Sequence, residues 1–181
     1  MKYEIYAHRF ADIILNSDYA LKQEIEEVIK GVSFSKDVLT EFEKENQRRI
    51  KAGKRPPQGK QSTINALFRK EFTTRGWQPE KNVFDDPEND LAIDFWKRNV
   101  GVDVAFNHRS FIGGDLLRLQ AAAEVKNVIN VGVYICPTKE FAKTVSPKDG
   151  NSMVVFERAT WYLENFYAVL TAPVLLMGLT G

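Results

Sequence analysis

The sequence predicts an α/β fold, a mixed central β-sheet flanked by helices. Two apolar runs of strand length, residues 131–136 and 173–179, read as buried strands. Other stretches carry apolar residues at helical spacing, Leu21, Ile25, Val28 and Ile29 among them. The two kinds of segment alternate along 181 residues, which argues for an α/β domain around one sheet. That length suits one domain with a substantial core, here an N-terminal helical part over about 1–60 packed on a core over about 61–181.

Taken in order, residues 2–7 alternate as a short strand. Residues 19–30 form an amphipathic helix with Gly31 as a stop, and residues 37–50 a charged helix. The stretch AGKRPPQG at 52–59 is a breaker-rich loop. Ser62 or Thr63 can cap a helix to about Arg75, with Ile64, Leu67, Phe68 and Phe72 on one face and Gly76 at its end. Residues 85–90 are acidic and turn-rich. Residues 91–96 and 100–106 read as strands joined at Lys97-Arg98-Asn99, so that Asp103 and Ala105 share a face. A helix follows over 114–129, a strand over 131–136 ended by Pro137, a helix over 156–170 with Trp161, Phe166 and Leu170 facing the core, and the strand over 173–179.

No apolar run is long enough to span a membrane, and the start lacks the apolar segment of a signal peptide. One cysteine, Cys136, excludes an internal disulfide and fits a reducing, cytoplasmic setting. The formal charge of +1 does not announce a nucleic-acid binder, but its distribution is uneven. Acidic residues crowd the first 45 positions. Arg48, Arg49, Lys51, Lys54, Arg55 and Lys60 then make a basic run, either a solvated loop or a phosphate-binding patch.

Asp94 and Asp103 are placed inside apolar runs on adjacent strands, near one end of a hairpin. A buried carboxylate is costly without compensation. Two that converge repel each other unless paired with Lys97, Arg98 or backbone amides, or unless a cation lies between them. Oxygen-only ligation suits Mg²⁺, which takes one or two carboxylates plus waters and substrate phosphate. A single further histidine, His8, and one cysteine do not suit a structural zinc site.

Ile93-Asp94-Phe95, six residues, then Val102-Asp103-Val104-Ala105-Phe106 resembles the core of the BglII and BstYI type II restriction endonucleases, within the PD-(D/E)XK nuclease superfamily. KYEIYAHR with KQEIEEVI, GKQSTINALFRKEFTTRGW and APVLLMGL resemble the family's opening, next helix and last strand, so most of the chain is covered in order. The resemblance implies a restriction-endonuclease-like core and Mg²⁺-dependent cleavage of double-stranded DNA leaving a 5′-phosphate. It also implies a homodimer, whose twofold symmetry matches a palindromic site. A cognate DNA methyltransferase is a possible partner.

Asp94 matches the family's first metal-binding aspartate and Asp103 its second acid, usually glutamate. The Val104 carbonyl matches a further metal ligand, and Asn65 an asparagine approaching from the preceding helix. Ala105 departs from the pattern, because the superfamily has lysine there and this subfamily glutamine. Arg118 or Lys126 is a candidate to compensate, with Arg118 favoured as a catalytic group. Arginine stays protonated, so it can stabilise charge but not act as a base. Otherwise the metal alone generates the nucleophile, or the chain is a weakened or inactive nuclease that binds DNA. Asn107, His108, Arg109 and Ser110 match a base-reading segment, and their donors and acceptors suit major-groove edges. His108 as a general base is an alternative. The basic run from Arg48 becomes a phosphate-contacting arm. The acidic helix around Glu24 could supply a dimer surface or support the metal site. A repair or modification-dependent nuclease on the same fold is a further alternative.

Overall fold

The structure, a computed structural model, describes residues 1–86, 88 and 91–181. Its elements are β1 (Lys2–His8), α1 (Ala11–Asn16), α2 (Tyr19–Gly31), α3 (Leu39–Lys51), α4 (Gln61–Thr74), β2 (Gln78–Asn82), β3 (Ala92–Lys97), β4 (Val100–Val104), α5 (Ile112–Gln120), β5 (Val131–Pro137), α6 (Lys139–Val145), α7 (Phe156–Asn165) and β6 (Val174–Thr180). The strands form one six-stranded sheet in the order β1-β6-β5-β4-β3-β2. β4, β5 and β6 run parallel, whereas β1, β3 and β2 join antiparallel at the two sides. The sheet is therefore mixed, with helices on both faces.

β5 explains the arrangement. All seven of its residues are buried. Val131, Val133 and Ile135 enter one core with Leu21, Ile25, Ile64, Phe68 and Phe72 of α2 and α4. Tyr134 and Cys136 enter the other with Ile112, Leu116 and Leu119 of α5 and Leu163 of α7. A strand covered on both faces has no solvent side, which is why its sequence is continuously apolar. Phe72 stacks on Phe95 with centroids 4.6 Å apart and meets Trp77 edge-on at 5.3 Å, fixing α4 against β3.

Several expectations need correction. The helix expected to start at Ser62 or Thr63 is preceded by Lys60, and no side chain caps it. The Lys60 main-chain N–H donates to the Val145 carbonyl, so a tertiary bond sets the entry point. Gly31 is the last residue of α2 rather than a stop beyond it. Gly76 does end α4, at φ +77°. The helix expected over 114–129 starts at Ile112 and passes into a π-turn at Ala121–Val125. Trp161 and Phe166, expected in the core, are 52% and 43% exposed, because α7 buries Ala159 and Leu163 instead. β2, α1 and α6 were not anticipated. The acidic turn expected over 85–90 lies partly outside the described residues.

Candidate active site

β3 and β4 form a hairpin whose turn holds Arg98 in the left-handed region at φ +52°. Their ladder runs to the pair Phe95–Val102. At the next position, where Asp94 faces Asp103, side chains take over the bonding. The Asp94 N–H donates to Asp103 Oδ1 at 3.0 Å, and the Val104 N–H donates to Asp94 Oδ2 at 2.7 Å. Each aspartate is thus tied to the main chain of the opposite strand.

The pleat breaks at the same place. Ile93 and Phe95 should share a face, yet they belong to opposite cores. On the other side of β3, Glu80 falls opposite Asp94 by register but makes no ladder pair with it; its φ is +53°, and its Oε1 accepts from Arg69 Nη1 at 2.8 Å. Only a few per cent of non-glycine residues adopt that region. The irregularity leaves the Asp94 carboxylate half-buried beside a cleft of about 240 Å³, lined also by Asn65, Ala66, Arg69, Glu80, Phe95 and Val104. The N–H and C=O of a strand residue point to the same side, so the Val104 carbonyl faces Asp94 as its N–H does.

Asp103 is 1% exposed. Its Oδ2 accepts from Arg118 Nε at 2.9 Å and lies 2.9 Å from Arg118 Nη2. Arg118 also donates to Asp115 Oδ1 at 3.1 Å, while Tyr134 Oη donates to Asp115 Oδ2 at 2.7 Å. Burial pushes the Asp103 carboxyl up to about 7; Arg118 pulls it back and the Asp94 charge adds to the rise. Burial also raises Asp94, with the Val104 N–H and Arg118 opposing and Asp115 and Glu80 adding. Burial alone would lower the Arg118 pKa, but Asp103 and Asp115 raise it above its ordinary value. Both carboxyls are thus shifted upward chiefly because they are buried.

The donors fit a hard cation. They are carboxylate and carbonyl oxygens; Asp94 and Val104 border the cleft, whereas Asp103 does not line it and has both oxygens engaged, Oδ1 by the Asp94 N–H and Oδ2 by Arg118. Among the described residues, no three His, Cys, Asp or Glu side chains converge to enclose a metal. A cation held by Asp94 and the Val104 carbonyl would draw most of its ligands from water and substrate, as a hard cation can.

Asn65 lies on α4 with Arg69 one turn further on, and both line the cleft. Asn107, His108, Arg109 and Ser110 are exposed and follow β4 into a 3₁₀ turn. The Val154 N–H donates to the Asn107 carbonyl at 3.0 Å, docking the segment against the loop before α7. His108 Nδ1 lies 2.8 Å from Ser110 Oγ, and His108 does not line the Asp94 cleft. Lys126 stands 5.1 Å from the Phe84 ring centre and makes no bond to Asp103. Lys97 and Arg98 pair with Glu24 and Asp18, not with the two aspartates. Glu24 also accepts from Trp77 Nε1, so it ties α2 to the hairpin rather than serving the cleft.

Of the basic run, Arg48 and Arg49 both pair with Glu45 on α3, which has no buried residue. Lys51, Lys54 and Arg55 are exposed, and Lys60 Nζ donates to the Thr144 carbonyl. Arg48, Arg49 and Lys70 line a larger groove of about 890 Å³ together with Lys36 and the carboxylates of Asp37, Glu41, Glu45 and Glu71, so its charge is mixed. Ala66 borders both this groove and the Asp94 cleft.

The family described as restriction endonuclease BglII/BglIII matches residues 3–179. The chain belongs to the BglII/BglIII restriction endonuclease family. No curated protein matches the sequence significantly. Among solved structures, the restriction endonuclease BglII complexed with a DNA 16-mer aligns with a TM-score of 0.73 at 22% identity, over 100% of this chain and 79% of that one. That likeness shows the restriction-endonuclease fold. Membership in the BglII/BglIII family supports a DNA endonuclease. Arg69, Glu80, Asp115 and Tyr134 were missed in the sequence. Arg69 was findable, since it follows Asn65 at i+4 on an amphipathic helix. Glu80 carries no such signal, because its place depends on the β2–β3 register.

Proposed function

We propose that the protein is a Mg²⁺-dependent type II restriction endonuclease that cuts both strands of a short palindromic DNA site and leaves 5′-phosphates. The observation that carries this reading is the crossed bonding of Asp94 and Asp103 beside the cleft. Asp94, the Val104 carbonyl and Asp103 would hold the metal. Bound there, Mg²⁺ lowers the pKa of the attacking water and neutralises charge on the phosphate and leaving oxygen. The Val104 N–H fixes the Asp94 carboxylate through Oδ2, so its other oxygen is the one available to a ligand. Asn65 and Arg69 orient the scissile phosphate from α4. Arg118 opposes the burial-driven rise of the Asp103 pKa and holds the carboxyl in place.

Asn107, His108, Arg109 and Ser110 read bases, and their position just past β4, after Ala105 and Phe106, links reading to cutting. Arg48, Arg49, Lys51, Lys54, Arg55 and Lys60 contact phosphates; the groove that meets the Asp94 cleft at Ala66 supports a continuous DNA path. β1 belongs to the same sheet as β6, which supports reading residues 1–181 as one nuclease domain, its N-terminal part over about 1–60 packed on the core over about 61–181. Exposed Leu117 of α5 and Trp161 and Phe166 of α7 and its end, on helices that cover one sheet face, support a homodimer. Among the described residues no helix is long and apolar enough to cross a membrane. The buried free thiol of Cys136 supports a cytoplasmic setting. A DNA methyltransferase would then protect the host's own sites.

A second reading has its own observation. Ala105 is 4% exposed and supplies no polar group, and Arg118 is held by two aspartates. These favour a slow or inactive nuclease that still binds DNA. The deciding experiment incubates plasmid DNA with the protein, with and without Mg²⁺, beside Asp94→Ala. Discrete fragments that need both Mg²⁺ and Asp94 are expected. Intact DNA of every modification state, with salt-sensitive binding retained, would move the assignment to the binding-only reading.

A further inference from the structure

Behind the acid pair lies a carboxylate that the proposed reaction does not use directly. Asp115, in the first turn of α5, is 5% exposed and has three side-chain partners. Its Oδ1 accepts from Arg118 Nη2 at 3.1 Å. Its Oδ2 accepts from the Tyr134 hydroxyl at 2.7 Å and from Asn107 Nδ2 at 3.2 Å. Arg118 continues to Asp103 through Nε at 2.9 Å. One side chain thus touches Asn107, the first residue of the proposed base-reading segment, and, through Arg118, the second acid of the pair.

Each contact removes a freedom that matters. A carboxylate only accepts, so an asparagine bound to it must turn its NH₂ end inward. That fixes which edge of the Asn107 amide is offered elsewhere, leaving its oxygen and second N–H in one known orientation. A guanidinium held by two carboxylates cannot swing away from either. The Tyr134 hydroxyl, on the fully buried central strand, pins Asp115 to the rigid part of the molecule.

We infer that Asp115 is a positioning residue that couples DNA reading at Asn107 to the acid pair, holding Asn107 with one oxygen and, with the other, the Arg118 that braces Asp103. The inference rests on the nuclease reading above and adds the link between recognition and cleavage.

Asp115→Asn, Tyr134→Phe, Arg118→Ala and the double variant Asp115→Asn/Arg118→Ala test it. Two quantities are measured: the single-turnover cleavage rate with Mg²⁺ at saturating DNA, and metal-free binding to the mapped site against a site with one base pair changed. Asp115→Asn is expected to slow cleavage by about tenfold to a hundredfold, as misplacement of reacting groups does. Its binding discrimination should fall by about tenfold, the scale of one base contact. In the Arg118→Ala background, Asp115→Asn should leave the rate within about twofold, because groups acting in series do not add. Tyr134→Phe, which keeps the ring, should move both quantities in the same direction by less, and it carries the test if Asp115→Asn does not fold. Fully multiplicative rate losses in the double variant, or wild-type behaviour of Tyr134→Phe and Asp115→Asn in both assays, would overturn the coupling. A wild-type protein that cuts nothing would remove the cleavage reading and leave the inference to stand or fall on binding discrimination. A wild type that also binds no DNA would remove both.

Discussion

Asp103 is a charge in the core kept by specific partners, and its removal from any one of them has a calculable sign. Arg118→Ala leaves that carboxylate with only the Asp94 N–H, so a loss of about 3–5 kcal/mol in urea unfolding at pH 8 is expected, the cost of an orphaned buried ion. The loss should shrink at pH 5, where protonation of Asp103 removes the orphaned charge. In the wild type the carboxyl sits at about 7 against an ordinary 3.8, so the folded state holds a proton that the unfolded chain releases. Its contribution to stability is full below about 4 and lost as pH rises through about 7. A cation bound at Asp94 and Asp103 competes with that proton. Mg²⁺ should therefore raise the thermal midpoint more at pH 8 than at pH 5.5, and not at all in Asp94→Ala; equal shifts in that variant would place the cation elsewhere.

Elements differ in how firmly they are held, and this separates folding from DNA contact. β1 is secured at its end by His8, whose ring Nε2 meets the Leu170 carbonyl at 2.6 Å while buried Nδ1 has no partner. Burial lowers its pKa below 6.5, with the Leu170 bond opposing and Arg9 adding. The unfolded chain then takes up the proton first, so this contribution is full above about 6.5 and lost as pH falls. Its sign opposes that of Asp103, and His8→Asn should remove only the acid-side loss in urea titrations at successive pH values. α3 is the contrary case, with no buried residue. Reversing Lys51, Lys54 and Arg55 to glutamate should leave the melting temperature unchanged, weaken DNA binding, and flatten its dependence on salt. A salt slope equal to the wild type would make the basic run a solvated surface.

The molecule as a whole has a formal charge of only +1, so DNA affinity has to come from placement rather than sum. The exposed apolar residues of α5 and α7 lie on the sheet face opposite α4, whose Asn65 and Arg69 line the cleft, and they are the surface offered for the proposed pairing of subunits. Trp161→Glu is expected to yield a monomer by sedimentation and to reduce double-strand cutting more than binding; a wild-type dimer would assign that face another role. Part of this was readable along the chain. Buried strands announce themselves by unbroken apolar runs, and α2 and α4 by stripes at helical spacing, because those patterns are local consequences of burial. Asp94 and Asp103 were conspicuous as carboxylates inside such runs. β2 was not readable, since QPEKN is a polar edge strand whose assignment depends on pairing with β3. Nor were the true core residues of α7, because periodicity alone does not say which face meets the sheet. Sequence by itself determined the α/β class, the acid pair and the loss of a polar side chain at Ala105. Only tertiary structure decided that Arg118, fifteen residues from Asp103, braces it together with Asp115 and Tyr134, because a charge network is closed in space by strands and helices that are distant in sequence.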